Sequence, residues 1–117
     1  SFHHLILFFL LFHQIIFFEY FLYFLDDTLG NRAIRVNAIC PVLVKTKGLI
    51  SALKHKDSPA YKIGIDKFFR DFCKNNSATG KLPTEKDVTD LIIYLASDRN
   101  QSLTGQCINL DSGVFPQ

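Results

Sequence analysis

The chain has no methionine, not even at position 1, and a net charge of only +2 over 117 residues. The first absence points to a sequence that begins partway through a longer protein. The second argues against a nucleic-acid footprint, because the 13 Lys and Arg are interspersed with 11 Asp and Glu instead of gathered into a stripe. Cysteine is scarce as well. Cys40, Cys73 and Cys107 are odd in number, widely spaced and without a Cys-x-x-Cys pair. That excludes a secretory disulfide framework and reads as buried thiols in a reducing, cytoplasmic compartment. Length sets a further bound: a complete doubly wound α/β domain takes roughly twice this many residues, so the chain reads as part of a domain.

Residues 1–25 lack Lys and Arg altogether yet hold eight of the twelve phenylalanines, and the composition changes at Leu25-Asp26-Asp27. The chain therefore divides into a Phe/Leu-rich apolar segment, 1–25, and a mixed segment, 26–117. The first reads as helix-like and just long enough to span a bilayer core of about 30 Å. Three readings are open. A membrane anchor would need basic flanks, which are missing, and Glu19 would cost roughly 2.5–3.5 kcal/mol in mid-membrane. A buried amphipathic helix would need a polar face, but aromatics fall on every side of the wheel. The third, which fits the composition best, is translated A/T-rich non-coding DNA, whose codons yield Phe, Leu, Ile and Tyr. Membrane association follows only if residues 1–25 are genuine protein sequence. His3, His4 and His13 match no zinc spacing and have no carboxylate or thiol nearby, so no metal site is expected.

The second segment reads as half of a parallel α/β sheet. Ala33 to Cys40 alternates small, β-branched and polar residues, and Pro41 closes the run because it cannot continue a ladder. A central parallel strand is expected here, with Pro41 to Lys47 as the candidate site loop, because strand carboxyl ends open onto the crevice between flanking helices. Ser58 as N-cap and Pro59 in the first turn predict a helix to about Lys74, with Tyr61, Ile65, Phe68, Phe69, Phe72 and Cys73 on its apolar stripe. Core packing accounts for that stripe, and a mobile substrate lid is the alternative. Thr84 predicts a second helix, capped near Asp87 and buried along Val88, Leu91, Ile92, Leu95 and Ala96. A last strand is expected over Gln106 to Leu110, ending at Asp111-Ser112-Gly113.

Residues 26–117 resemble the C-terminal portion of the classical short-chain dehydrogenases and reductases. The resemblance is carried by Ile34-Arg35-Val36-Asn37-Ala38-Ile39, the Pro41 to Thr46 loop, Leu95-Ala96-Ser97-Asp98, Thr104-Gly105-Gln106, and Asp111 with Gly113, in the family's order. It implies the C-terminal part of a Rossmann-like doubly wound parallel sheet. It also implies NAD or NADP as cofactor, a small-molecule carbonyl or secondary alcohol as substrate of the full-length parent, and homo-oligomers paired through the last helix and strand. The family loop reads Pro-Gly-x-x-x-Thr, which assigns cofactor contacts to Pro41, Val42, Val44 and Thr46. Val44 main chain and the Thr46 hydroxyl would meet the nicotinamide carboxamide. Val42 replaces the family's glycine, and a β-branched residue resists a positive φ if the loop needs one. Ser112 likewise breaks the closing glycine pair.

The family's proton-transfer pair, Tyr-x-x-x-Lys, is absent from the sequence: Tyr20, Tyr23, Tyr61 and Tyr94 are followed four residues on by Phe24, Asp27, Ile65 and Asp98. Counting back from Arg35 without gaps lands on Leu11 and Ile15, neither of which can move a proton. The catalytic serine and the glycine-rich phosphate loop would precede residue 1. No catalytic residue is expected in this chain.

Overall fold

The computed structural model describes residues 4–9 and 34–115, which form three parallel strands and three helices. The strands are β1 (His4–Phe9), β2 (Ile34–Pro41) and β3 (Cys107–Leu110), hydrogen-bonded in the order β1-β2-β3. His4 stands opposite Ile34 and Phe9 opposite Ile39, while Ala38 stands opposite Cys107 and Pro41 opposite Leu110. Two parallel strands cannot be joined by a hairpin. The chain accordingly crosses from β2 to β3 through α1 (Lys47–Leu53), α2 (Ile65–Asn76) and α3 (Glu85–Ala96).

This is the α/β half-sheet expected from residues 34–110, with one change in the apolar segment. Over His4–Phe9 that segment is a strand, not helix-like. A short continuous apolar run suits a strand of a parallel sheet, whose faces are normally both covered, and β2 offers it a pairing edge. The rest of residues 1–25, including Leu11, Ile15 and the boundary at 25, lies outside the described residues. Among the described residues no helix is long and apolar enough to cross a membrane.

β2 is deeply covered, with Arg35 through Cys40 all buried. Val36, Ala38 and Ile39 form the main core with Val42 and Leu95, and α3 lies against β1. Two of the buried residues of β2, Arg35 and Asn37, are polar, and both bond to backbone groups. The Arg35 guanidinium donates to the carbonyls of Leu95 at 2.7 Å, Ser97 at 3.3 Å and Leu103 at 3.3 Å. Leu95 and Ser97 stand at the C-terminus of α3, where carbonyls lack intrahelical donors and a cation is favourable. Asn37 donates to the Leu103 carbonyl at 2.9 Å and accepts from the Gln106 amide at 3.2 Å. Thr104 Oγ1 and the Gln106 carbonyl accept from the Val36 and Ala38 amides, and the Gly105 amide donates to the Val36 carbonyl. Residues 103–106 are thus sewn to β2 before β3 formally begins.

A satellite core sits beneath the crossover, where Leu53, Ala60 and Phe69 pack with Leu43, Leu49 and Leu82. Phe69 accounts for the aromatic stripe as core packing, but the helix starts later than Ser58-Pro59 predicts. Ser58 instead organises a turn, its hydroxyl accepting from the Ala60 amide and its carbonyl from the Tyr61 amide. Gly64, at φ +88°, becomes the N-cap of α2. An L-residue conformation cannot carry the helix back through that φ, so Tyr61 stays outside the stripe and exposed.

α3 begins as predicted. Thr84 Oγ1 accepts from the Asp87 amide at 3.1 Å and the Asp87 carboxylate accepts from the Thr84 amide at 2.8 Å, which makes a capping box. The bond from the Thr84 amide, and after it a 2.8 Å bond that the Thr84 hydroxyl donates to the same carboxylate, hold the Asp87 carboxyl below its ordinary value. Of the predicted stripe, Leu95 is buried and Val88, Leu91 and Ile92 are half-buried, whereas Ala96 is exposed at the last turn. The loop after β3 closes on Asp111, whose carboxylate accepts from the Gly113 amide at 3.0 Å and the Phe115 amide at 2.7 Å. The 77–80 turn packs on that loop through the Ser77 hydroxyl and Thr79 amide, both donating to the Ser112 carbonyl.

Candidate functional site

The carboxyl end of β2 opens directly into the loop 42–46, and each predicted site residue lies on it. Pro41 is the last residue of β2 and half-buried, opposite Leu110. Val42 is buried and its amide donates to the Leu110 carbonyl at 3.3 Å, extending the pairing by one residue past the proline. Val44 is half-buried, and its carbonyl accepts from the Thr46 amide at 2.8 Å in a tight three-residue turn. Thr46 is half-buried and is the N-cap of α1: its hydroxyl oxygen accepts from the Leu49 amide at 3.1 Å.

Lys45, between them, reaches toward α2. Its ammonium stands 3.6 Å from the Asp66 carboxylate and 5.3 Å from the centre of the Phe69 ring, which ties the loop to α2. Leu43 is anchored in the satellite core. The loop is therefore held at both ends, by the Val42–Leu110 bond and the Thr46 cap, and touched in the middle by Leu43 and Lys45. A hollow of about 520 Å³ opens beside α2, lined by Lys45, Asp66, Phe69 and Cys73 among others. Lys45 is the loop residue that reaches it. Among the described residues no group of three or more His, Cys, Asp or Glu could hold a metal ion.

The conflict foreseen at Val42 does not arise. Ser112, at φ +54°, is the non-glycine residue with a positive φ among the described residues, so the loop bends at position 42 without a left-handed backbone. The departure at Ser112 carries the strain instead, beside Gly113 at φ +79°.

Residues 25–115 match the family model described as enoyl-(acyl carrier protein) reductase. The dehydrogenase/reductase SDR family member 6 of Danio rerio is 34% identical over 83 residues, covering 71% of this chain and 31% of its own length. The chain belongs to the short-chain dehydrogenase/reductase family. It spans about a third of the length of the curated relatives it matches. Among solved structures, a short-chain dehydrogenase family protein from Francisella tularensis superposes with a TM-score of 0.73 at 25% identity, over 86% of this chain and 40% of that one. L-sorbose reductase from Gluconobacter frateurii, solved with NADPH and L-sorbose, superposes with a TM-score of 0.68 at 19% identity, over 85% and 37%. These likenesses put the half-sheet in the Rossmann-like doubly wound class.

Several roles were not legible in the family blocks of a short-chain dehydrogenase. Arg35 and Asn37 read as strand residues, yet they clamp the end of α3 and the 103–106 segment onto β2. The signal was their charge and polarity inside an otherwise apolar run. Helix α1 lies in what reads as a loop, although Thr46 followed by Leu49, Ile50 and Leu53 has cap and helical spacing. Reading all three cysteines as buried holds for Cys40, while Cys73 and Cys107 are half-buried.

Proposed function

We propose that this chain is the C-terminal part of an NAD(P)-dependent short-chain oxidoreductase, whose longer parent interconverts a small carbonyl compound and its secondary alcohol. The observation that carries the reading is the paired chemistry of Thr46 and Val44 at the end of β2. The Thr46 oxygen accepts from Leu49, which leaves its proton to donate. The Val44 carbonyl accepts from Thr46 and keeps a second lone pair. A carboxamide needs one donor for its oxygen and one acceptor for its amino group, so these residues fit the nicotinamide end of the cofactor. Pro41 and Val42 set the position of that pair. When bound, NAD(P)H supplies the hydride. This chain's residues orient the nicotinamide, and none of them replaces the missing Tyr-x-x-x-Lys in moving a proton. The chain also lacks a glycine-rich loop to hold the pyrophosphate. It is therefore inactive alone. Purified chain mixed with NADH or NADPH and a carbonyl panel gives no oxidation above a Thr46→Ala control, and turnover above that control overturns the reading.

A second reading, a non-catalytic module that docks through the last helix and strand, is favoured by a separate observation. Ile93 and Tyr94 on α3 are 61% and 39% exposed, and among the described residues β3 ends the strand order. The partner is a second copy or a full-length relative. Co-elution with such a relative in size exclusion supports docking, and separate elution rules it out.

A further inference from the structure

We propose that Cys40 and Cys107 are a modification site, forming a reversible disulfide within the sheet when the chain meets a peroxide. Their sulfurs lie 2.9 Å apart although 67 residues separate them in sequence. The register explains the meeting. Cys107 stands opposite Ala38 on the neighbouring parallel strand, and Cys40, two residues further along β2, shares a sheet face with Ala38. At 2.9 Å the sulfurs are not yet bonded, and a disulfide needs them at about 2.05 Å. Closing the remaining gap takes a small movement of the two side chains and of the strands that carry them, because diagonal neighbours start farther apart than directly opposite residues. Cys73 is placed differently, on α2 beside the hollow lined by Phe69.

Exposure divides the chemical roles. Cys107 is half-buried, whereas Cys40 is 8% exposed. The Cys107 thiolate attacks the peroxide, a sulfur–oxygen bond forms, the oxygen–oxygen bond breaks, and the leaving oxygen departs as water after taking a proton. The Cys40 sulfur then attacks the sulfenic sulfur, the sulfur–sulfur bond forms, and the hydroxyl leaves as a second water with the Cys40 proton. Two thiols lose two electrons and one peroxide becomes two waters. The product ties β2 to β3 one residue before Pro41, where the loop 42–46 leaves the sheet.

The test is disulfide mapping by mass spectrometry after graded hydrogen peroxide, with free thiols alkylated on quenching. Oxidation of the full chain in native buffer gives Cys40 linked to Cys107 as the main intramolecular product, leaves Cys73 alkylated, and is reversed by dithiothreitol. In concentrated urea loop-closure entropy disfavours this longest of the three pairings, which then makes up about one-seventh of the intramolecular products. Native folding therefore enriches it several-fold. Equal shares in buffer and urea, a native product containing Cys73, or Cys107 over-oxidised with no linkage each overturn the proposal. Cys73→Ser retains the linkage and Cys107→Ser loses it. Should Cys107→Ser fail to fold, the wild-type comparison and Cys73→Ser still decide.

Discussion

Gly113 sits where two segments far apart in sequence touch. A Cβ at this position would lie 2.5 Å from the Cβ of Ala78, and the backbone φ is +79°. Gly113→Ala therefore meets two separate costs. Left-handed backbone costs an L-residue roughly 1–2 kcal/mol. Overlap of two β-carbons, each fixed directly to backbone, costs about 1–3 kcal/mol. Together the substitution is expected to destabilise the chain by about 2–5 kcal/mol. Ala78→Gly removes the overlap and leaves the φ cost, because the Ala78 Cα and N are 3.6 Å from the same point, an ordinary contact. The double variant should thus recover about 1–3 kcal/mol of the loss. Ala78→Gly alone should cost less than about 1 kcal/mol through loop entropy. Urea unfolding followed by far-ultraviolet circular dichroism on the four proteins closes the cycle. A coupling below about 0.5 kcal/mol would refute the packing of the 77–80 turn on the loop after β3.

Two further outcomes follow from the polar contacts. Arg35→Met leaves the Leu95, Ser97 and Leu103 carbonyls without their charged donor and should destabilise the chain by about 2–4 kcal/mol, with α3 amides losing hydrogen-exchange protection first. A change under about 0.5 kcal/mol would show that the guanidinium does not hold α3 to β2. Asp87, held below the ordinary carboxylate value of 3.8 by Thr84, contributes helix stability that is fully present above that value. The contribution is lost as pH falls through the lower folded value. The difference in helical signal between wild type and Asp87→Asn should therefore be flat at neutral pH and narrow in acid. A difference that widens in acid would contradict the capping box.

Local signals revealed local structure well. The Thr84 cap, the β-branched run of β2 and the turn at Asp111 are all set by residues within a few positions of one another, so the sequence displayed them; the return bond from the Thr84 amide to Asp87 that completes the capping box needed the structure. The Ser58-Pro59 pair misled because a turn and a helix start share the same first hydrogen bonds, and Gly64 six residues on decides between them. His4–Phe9 as a strand was hidden for another reason: an apolar run of that length has no period that separates strand from helix, and its partner β2 lies outside any local window. The thiol pair and the Arg35 clamp are long-range meetings created by parallel register, which no spacing rule reports. For the candidate site, the position of the loop was legible, but the capping role of the Thr46 hydroxyl needed α1 to be seen.

The bond from the Val36 amide to Thr104 spans 68 residues, and that span has a meaning during synthesis. At about 5–20 residues per second, β2 emerges from the ribosome roughly 3–14 seconds before the segment that covers its edge. Through that interval the Val36 and Ala38 amides on the β3 side of the Ile34–Pro41 run have no strand to meet, and an open apolar edge of this kind is prone to pair with other chains. Arg35 and Asn37 interrupt its hydrophobicity during the wait, and the same two side chains then fasten the late-arriving segment when it appears.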